Sequence, residues 1–329
     1  MDGVPATDRD KANRIGLAQQ KQYLQDRLHN PDMTLEAHDT YDELQRLETI
    51  EKGLDKLGPR GLLLGFDTAA FDGDGKVIMA MGNPDTARHT GVWVPGMGTT
   101  LGGSTLDNLD RIMKMNDVAD SITRDRSGDI STIYWLGYDA PEFPPANLSV
   151  VANFRSIAGR DPYIDFMQGL RATHESGDGH LVAMGHSYGT TVLGEAAKTH
   201  RLPVDDIVTA GSPGMHVGSA NDLMADPRHL WAGASDSDPV ARLEAYTVSG
   251  DSTVDSSPLT ELANKIADDD HGLAPSDPSF GGNVWKADTS GHTHYWDDNS
   301  ESLNNQSRVL AGAYDQVTYN SGSIPENWR

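Results

Sequence analysis

The segment Gly185-His186-Ser187-Tyr188-Gly189 carries the strongest chemical signal in the chain. It is a G-x-S-x-G sequence with an apolar run before it, Leu181-Val182-Ala183-Met184, and a helical pattern after it, near Thr190–Thr199. That context predicts a serine on a sharp strand-to-helix turn, in a backbone conformation tolerated only where its neighbours lack side chains. Gly185 and Gly189 sit where β-carbons would collide with the adjoining strand and helix. The turn lifts the Ser187 hydroxyl above the sheet, beside the free N–H groups and positive end of the next helix. The competing reading is an ordinary glycine-rich turn. The chemistry expected is attack of Ser187 on an acyl carbon.

A hydroxyl at neutral pH is a poor nucleophile and needs a positioned base. For a serine on such a turn, the chain order is serine, then acid, then histidine. Downstream, the apolar Leu230-Trp231-Ala232 runs into Gly233-Ala234-Ser235-Asp236-Ser237-Asp238-Pro239-Val240. Asp238 is the favoured acid, because the rigid Pro239 fixes its loop, and Asp236 is the alternative. Near the C-terminus, Gly291-His292-Thr293-His294-Tyr295 precedes a helical stretch near Ser300–Leu310. His292 follows a glycine, which suits a loop swinging back to the serine, so it is favoured over His294. Two histidines at i and i+2 share one face of a strand and could ligate a metal, but no third ligand is compelling, and no metal is assigned. His186 is expected to be a structural hydrogen-bond partner rather than the base. His29, His38 and His200 lie in polar stretches and read as solvated. Acyl transfer also needs donors aimed at a developing oxyanion. One is expected to be the N–H of Tyr188. The second is expected from Pro95-Gly96-Met97-Gly98-Thr99-Thr100, with Met97 first and Gly98 next.

These residues need a scaffold, and the pattern from residue 62 onward supplies one. Short apolar runs, Leu62–Phe66, Val77–Ala80, Val92–Val94, Thr132–Trp135, Leu181–Met184, Ile207–Ala210 and Leu230–Ala232, read as strands. Helical stretches near 104–118, 163–174 and 190–199 fall between the later ones. Strand–helix alternation with fully apolar strands predicts a mostly parallel sheet covered by helices on both faces. The site then lies beyond the carboxyl ends of the strands. Asp72-Gly73-Asp74-Gly75 reads as a tight turn. It lacks the remaining ligands of a calcium loop.

Ahead of the sheet, residues 1–58 read as a helical hairpin. Its first helix, about 8–28, has the weak stripe Ile15, Leu24 and Leu28. Its second has the stronger stripe Tyr41, Leu44, Leu47, Ile50, Leu54 and Leu57. Asn30-Pro31-Asp32 is the turn between them. The stripe is expected to pack on the main domain, with a partner-binding coiled coil as the alternative. Residues 59–329 form that main domain, with a long polar excursion at about 241–291 around Asp268-Asp269-Asp270.

Composition limits the partners. The chain has 329 residues, 49 Asp and Glu against 26 Lys and Arg, and a net charge of −23. Nucleic acid, whose binding needs clustered basic residues, is not expected as a partner. No run is long and apolar enough for a membrane span. There is no cysteine, which removes thiol nucleophiles, disulfides and Cys-based metal sites. No secretory signal is visible, so a cytoplasmic location is the default and non-classical export the alternative. No cofactor is called for.

The chain resembles an actinobacterial α/β-hydrolase family known mainly as a domain of unknown function. The resemblance rests on Asn83-Pro84-Asp85-Thr86-Ala87, Val94–Thr100, Trp135-Leu136-Gly137-Tyr138-Asp139-Ala140-Pro141 and Gly185–Gly189. It extends to Gly211-Ser212-Pro213-Gly214, Ser237–Val240 and the stretch from Gly291 to Leu303, covering roughly residues 60–310. It implies an α/β-hydrolase fold and a lipase-, esterase- or cutinase-like serine hydrolase acting on a small-molecule or lipid ester. Ser187, His292 and Asp238 would be its triad. Two other readings stand beside it: a phospholipase or cell-envelope lipid esterase, which as an exported effector would have 241–291 as its lid, and a non-enzymatic binding or assembly module. The family pattern has Gly-Asp-Pro where this chain has Ser237-Asp238-Pro239, and His294 is an extra histidine.

Overall fold

The computed structural model describes residues 2–29, 37–123, 129–142, 148–241 and 271–320. The turn expected at Asn30-Pro31-Asp32 and most of the polar excursion, Asp268–Asp270 included, lie outside the described residues. Eight strands form one sheet: β1 (Gly61–Asp67), β2 (Lys76–Met81), β3 (His89–Val94), β4 (Ile130–Leu136), β5 (His180–His186), β6 (Asp206–Ala210), β7 (Leu230–Gly233) and β8 (Asn283–Val284). Their spatial order is β1-β2-β4-β3-β5-β6-β7-β8. Only β2 runs against the others, since both its pairings are antiparallel and the rest of the sheet is parallel. The helices are α1 (Ala6–Leu28), α2 (Ala37–Leu57), α3 (Leu101–Thr123), α4 (Leu148–Thr173), α5 (Gly189–Thr199) and α6 (Glu301–Leu310).

Side-chain alternation along the strands divides the core in two. Val92, Val94, Ile133, Trp135, Leu181 and Ala183 face α4 and α5. Trp93, Tyr134, Leu136, Val182, Met184 and Val208 face α2, α3 and α6. Because both faces are covered, the central strands carry continuous apolar stretches such as Val92–Val94 and Leu181–Met184 in place of an alternating pattern, which is what made them legible as short runs.

Leu47, Ile50, Leu54 and Leu57 of α2 are buried in the second of these layers, and Leu44 is buried as well. Tyr41, at the head of the same stripe, is exposed. The stripe expected on α1 is corrected more deeply. Ile15 and Leu28 are exposed, and the buried face is Ala6, Arg9, Asn13, Leu17 and Leu24. The reason is that α1 lies along β1, an edge strand whose outward backbone groups need partners. Asp10 accepts from the Leu63 N–H at 2.7 Å, and Asn13 donates to the Leu63 carbonyl at 2.9 Å. Arg9 Nε donates to the Leu64 carbonyl at 2.9 Å, and Arg14 donates to that of Gly61 at 2.9 Å. A bulge between Leu63 and Gly65 turns consecutive carbonyls outward. This helix packs partly by hydrogen bonding, so its buried face mixes Arg9 and Asn13 with Ala6, Leu17 and Leu24 and no strong apolar periodicity marks it.

Candidate active site

Ser187 sits between β5 and α5 with φ 52°, a left-handed conformation for a residue with a side chain. Its N–H donates to the Ala210 carbonyl at 3.1 Å, and its carbonyl accepts from the Thr190 N–H and hydroxyl at 3.0 and 2.7 Å. Those bonds hold the strained turn closed. Two glycines make room for it. A β-carbon on Gly189 would run into the Val94 and Pro95 carbonyl oxygens, so the partner in the expected collision is the loop after β3. A β-carbon on Gly96 would lie 2.8 Å from the Ser187 β-carbon. Gly185 is under less pressure, with its nearest contacts at 3.2 Å.

Three sequence-predicted residues meet here. His292 Nε2 lies 2.7 Å from Ser187 Oγ. His292 Nδ1 lies 2.9 Å from each carboxylate oxygen of Asp238. A carboxylate only accepts, so Nδ1 carries the proton and Nε2 is left as the acceptor for the Ser187 hydroxyl. Asp238 is wholly buried. Burial pushes its carboxyl up, but hydrogen bonds from His292 and Tyr295 and from the Val240 N–H, with the His292 charge, hold it below the ordinary carboxylate range. The alternatives fall outside. Asp236 is exposed, and His294 is exposed and pairs with Asp297 at 3.1 Å.

Of the supporting residues, Tyr295 and the tie made by Ser237 were not foreseen, whereas His186 has the structural hydrogen-bonding place expected of it. The Tyr295 hydroxyl donates to Asp238 Oδ2 at 2.6 Å and accepts from the Ser235 N–H at 2.9 Å. Ser237, the departure from the family pattern, uses its hydroxyl to accept from the Gly291 N–H at 2.7 Å, tying the acid loop to the histidine loop. His186 Nε2 donates to the His292 carbonyl at 2.7 Å, and its ring stacks on Trp93 and meets Trp296 edge-on. Burial, then the neighbouring His292 and Arg111 charges, push the His186 imidazole far below its ordinary pKa, so it is a neutral donor.

Of the two donors weighed on the loop after β3, the Gly98 N–H is occupied by the Pro141 carbonyl at 2.7 Å. The Met97 N–H makes no hydrogen bond among the described residues. Tyr188 follows the serine at the start of α5, and its side chain is buried. A cleft of about 260 Å³ opens over Ser187, walled by residues 96–99, by Ser104, Asp107, Asn108 and Arg111 of α3, and by His186, His292 and Thr293. Among the described residues no cluster of three or more His, Asp or Glu side chains is disposed to hold a metal, and no helix is long and apolar enough to cross a membrane.

A mostly parallel sheet with helices on both faces, and a serine on the turn after its central strand, define an α/β-hydrolase. The family model for alpha/beta hydrolases matches residues 72–248, more than half of the chain, and the protein belongs to that family. An uncharacterized protein of Mycobacterium tuberculosis is 29% identical over 296 residues, covering 82% of this chain and 43% of the relative. The chain thus spans less than half the length of that relative. A second uncharacterized protein of the same organism is 29% identical over 244 residues, covering 72% of this chain and 88% of its own. Among solved structures, an esterase from the archaeon Pyrobaculum calidifontis aligns at a TM-score of 0.44 and 12% identity, covering 89% and 97% of the two chains. The esterase LipW from Mycobacterium marinum aligns at 0.41 and 12%, covering 85% and 91%.

Proposed function

We propose that this α/β-hydrolase is a serine esterase working through an acyl-enzyme on Ser187. The observation that carries the reading is the continuous hydrogen-bond path from Ser187 Oγ through His292 to buried Asp238. In this mechanism His292 Nε2 takes the hydroxyl proton as Oγ attacks the ester carbonyl carbon. Asp238 keeps the imidazole in the Nδ1–H tautomer and stabilises the imidazolium. The Met97 and Tyr188 N–H groups receive the oxyanion, Tyr188 following the serine directly and Met97 lining the same cleft on the loop after β3. His292 then returns the proton to the leaving alcohol, and water attacks the acyl-enzyme by the reverse route. The helices of residues 1–58 serve as a cover for the sheet edge and lower face and take no part in the chemistry.

The test is labelling with a fluorophosphonate probe together with hydrolysis of p-nitrophenyl butyrate. Wild-type protein should be labelled at Ser187. Ser187→Ala should lose labelling and at least about 10³-fold of kcat, the residue being what binding and oxyanion stabilisation alone provide. Full ester hydrolysis by Ser187→Ala, or an unlabelled wild-type protein, would overturn the mechanism.

A further inference from the structure

We propose that the ester taken by this cleft carries an oxyanion, a carboxylate or a phosphate, and that Arg111 receives it; this rests on the serine-esterase reading above. Arg111 projects from the middle of α3 into the wall of the cleft that holds Ser187 and His292. Its guanidinium lies over the Trp296 ring at 4.8 Å. One terminal nitrogen donates to Asn108 Oδ1 at 3.0 Å, and Asn108 is anchored in turn through its amide to the Ser104 carbonyl at 3.0 Å. The fork is therefore aimed before any ligand arrives, which reduces the ordering cost of binding.

Among the described residues this cation touches no carboxylate, and Asp107 acts on it only through its charge. No carboxylate lies within 4.0 Å of it among the described residues, and its other N–H groups make no hydrogen bond there. Its neighbours are different: Lys114, one turn on, pairs with Asp298 at 2.7 Å, and Lys56 pairs with Asp110 of α3 at 2.8 Å. In a chain of net charge −23 acidic partners are abundant, and a half-buried guanidinium with none in contact among the described residues is costly to keep. Burial already draws Arg111 below its ordinary pKa, although the Asp107 charge opposes this. A planar fork with unused donors beside a nucleophile matches the two oxygens of a carboxylate or phosphate. Asp107 is exposed at the rim of the same cleft. Its negative charge works against an incoming anion and provides an independent handle.

The test compares esters that differ in charge and little in size. On the alcohol side these are the butyrates of 4-hydroxybenzoate, 4-hydroxybenzamide and 4-hydroxyphenyl phosphate. On the acyl side they are p-nitrophenyl monoadipate and p-nitrophenyl hexanoate. The readout is the ratio of kcat/KM for the anionic ester to that for its neutral counterpart. In wild-type protein at least one anionic ester should be preferred by about tenfold or more, the usual return from a charge-assisted hydrogen bond. The carboxylate and phosphate arms decide which oxyanion is meant. Arg111→Gln should bring the ratio close to one, Arg111→Lys should keep part of it, and Asp107→Asn should raise it. Should Arg111→Gln fail to fold, the wild-type ratio and Asp107→Asn still decide. The proposal is overturned if no anionic ester is preferred, or if Arg111→Gln lowers both members of a pair equally, as a purely structural arginine would. Fluorophosphonate labelling of the same preparations separates the two readings. Labelled Ser187 without charge preference overturns this proposal alone, whereas neither labelling nor hydrolysis removes both.

Discussion

Replacing Asp238 by Asn changes one atom and tests the whole proposed mechanism. The Asp238 carboxylate accepts from the Val240 N–H at 2.9 Å on Oδ1, from the Tyr295 hydroxyl at 2.6 Å on Oδ2, and from His292 Nδ1 at 2.9 Å on both. An amide has one accepting end. The main-chain N–H of Val240 cannot turn away, so the Asn oxygen belongs there and the NH₂ group faces Tyr295 and His292. Tyr295 can rotate its hydroxyl. The NH₂ group then faces Nδ1 as a donor 2.9 Å away, and the one remaining oxygen is already taken by the Val240 N–H, so the proton is favoured on Nε2. That nitrogen then donates to Ser187 Oγ instead of accepting from it, and the base is gone although every heavy atom stays in place. A wrong-tautomer histidine in a serine triad is expected to lose about 10⁴-fold in kcat, or about 5.4 kcal/mol of barrier. The assay is p-nitrophenyl butyrate hydrolysis at pH 7.5, with circular dichroism to show that the variant is folded. Asp236→Asn, at an exposed site on the same loop, should stay within threefold of wild type. A folded Asp238→Asn variant that keeps more than a tenth of the activity would refute the tautomer argument. So would an Asp236→Asn variant that loses as much.

Two further outcomes follow from groups away from the cleft. Burial, then the neighbouring His180 and Arg88, hold the His89 imidazole down to about 4, and burial beside His216 holds His271 down to about 3, whereas an unfolded histidine titrates near 6.5. Below pH 6.5 the unfolded chain therefore binds more protons than the folded one, and stability falls as pH drops from 6.5 toward 4; the urea midpoint should decrease steadily from pH 7 to pH 5, and a flat or rising midpoint would show these rings charged in the native state. On α1, the double variant Arg9→Ala/Asn13→Ala removes the bonds to the Leu63 and Leu64 carbonyls and should lower stability by about 2 kcal/mol in urea denaturation, at about 1 kcal/mol per bond. Gln22→Ala, whose partner Asp26 is exposed on the same helix, should be close to neutral, and equal effects would show that the edge is not what α1 stabilises.

The sheet was legible because its central strands are buried on both faces and its connections are helical. Leu181–Met184 and Ile207–Ala210 need no tertiary information to be read as strands. β8 was not legible. It is two residues long, and polar Asn283 is held there by its side chain on the Arg228 and Leu230 carbonyls at 2.6 and 3.2 Å. The buried face of α1 was misread for a related reason, since Arg9 and Asn13 are buried by what they bond to and not by hydropathy. At the site, Ser187 was marked by flanking glycines, and Asp238 and His292 by chain order and neighbouring Pro and Gly. Arg111, Asn108 and Tyr295 had no such mark. Arg111 and Asn108 reach the cleft through the pitch of α3, and Tyr295 reaches Asp238 through the loop after β8, so only the folded chain brings them there.

The strand order also explains why one more residue is constrained. Ser187 follows β5, Asp238 follows β7 and His292 follows β8, while β6 lies between β5 and β7. Neighbouring strands are about 4.8 Å apart, so the serine and the acid stand two strand spacings apart and the imidazole must bridge them, bonded at 2.7 Å on one side and 2.9 Å on the other. Whatever leaves β6 then has to pass beneath the ring. Gly211 is that residue, with φ 58° and its N–H donating to the Gly233 carbonyl at 3.0 Å. A β-carbon on it would lie 2.8 Å from Asp238 Oδ2, 2.9 Å from the Tyr295 ring and 3.3 Å from His292 Cε1. Any side chain there would strain the backbone and push on the acid, its tyrosine and the base together. The conformational freedom of glycine and its lack of a side chain are both required at this position. The Gly211-Ser212-Pro213-Gly214 segment thus contributes to the candidate site by leaving space for it, with no functional group of Gly211 touching the serine.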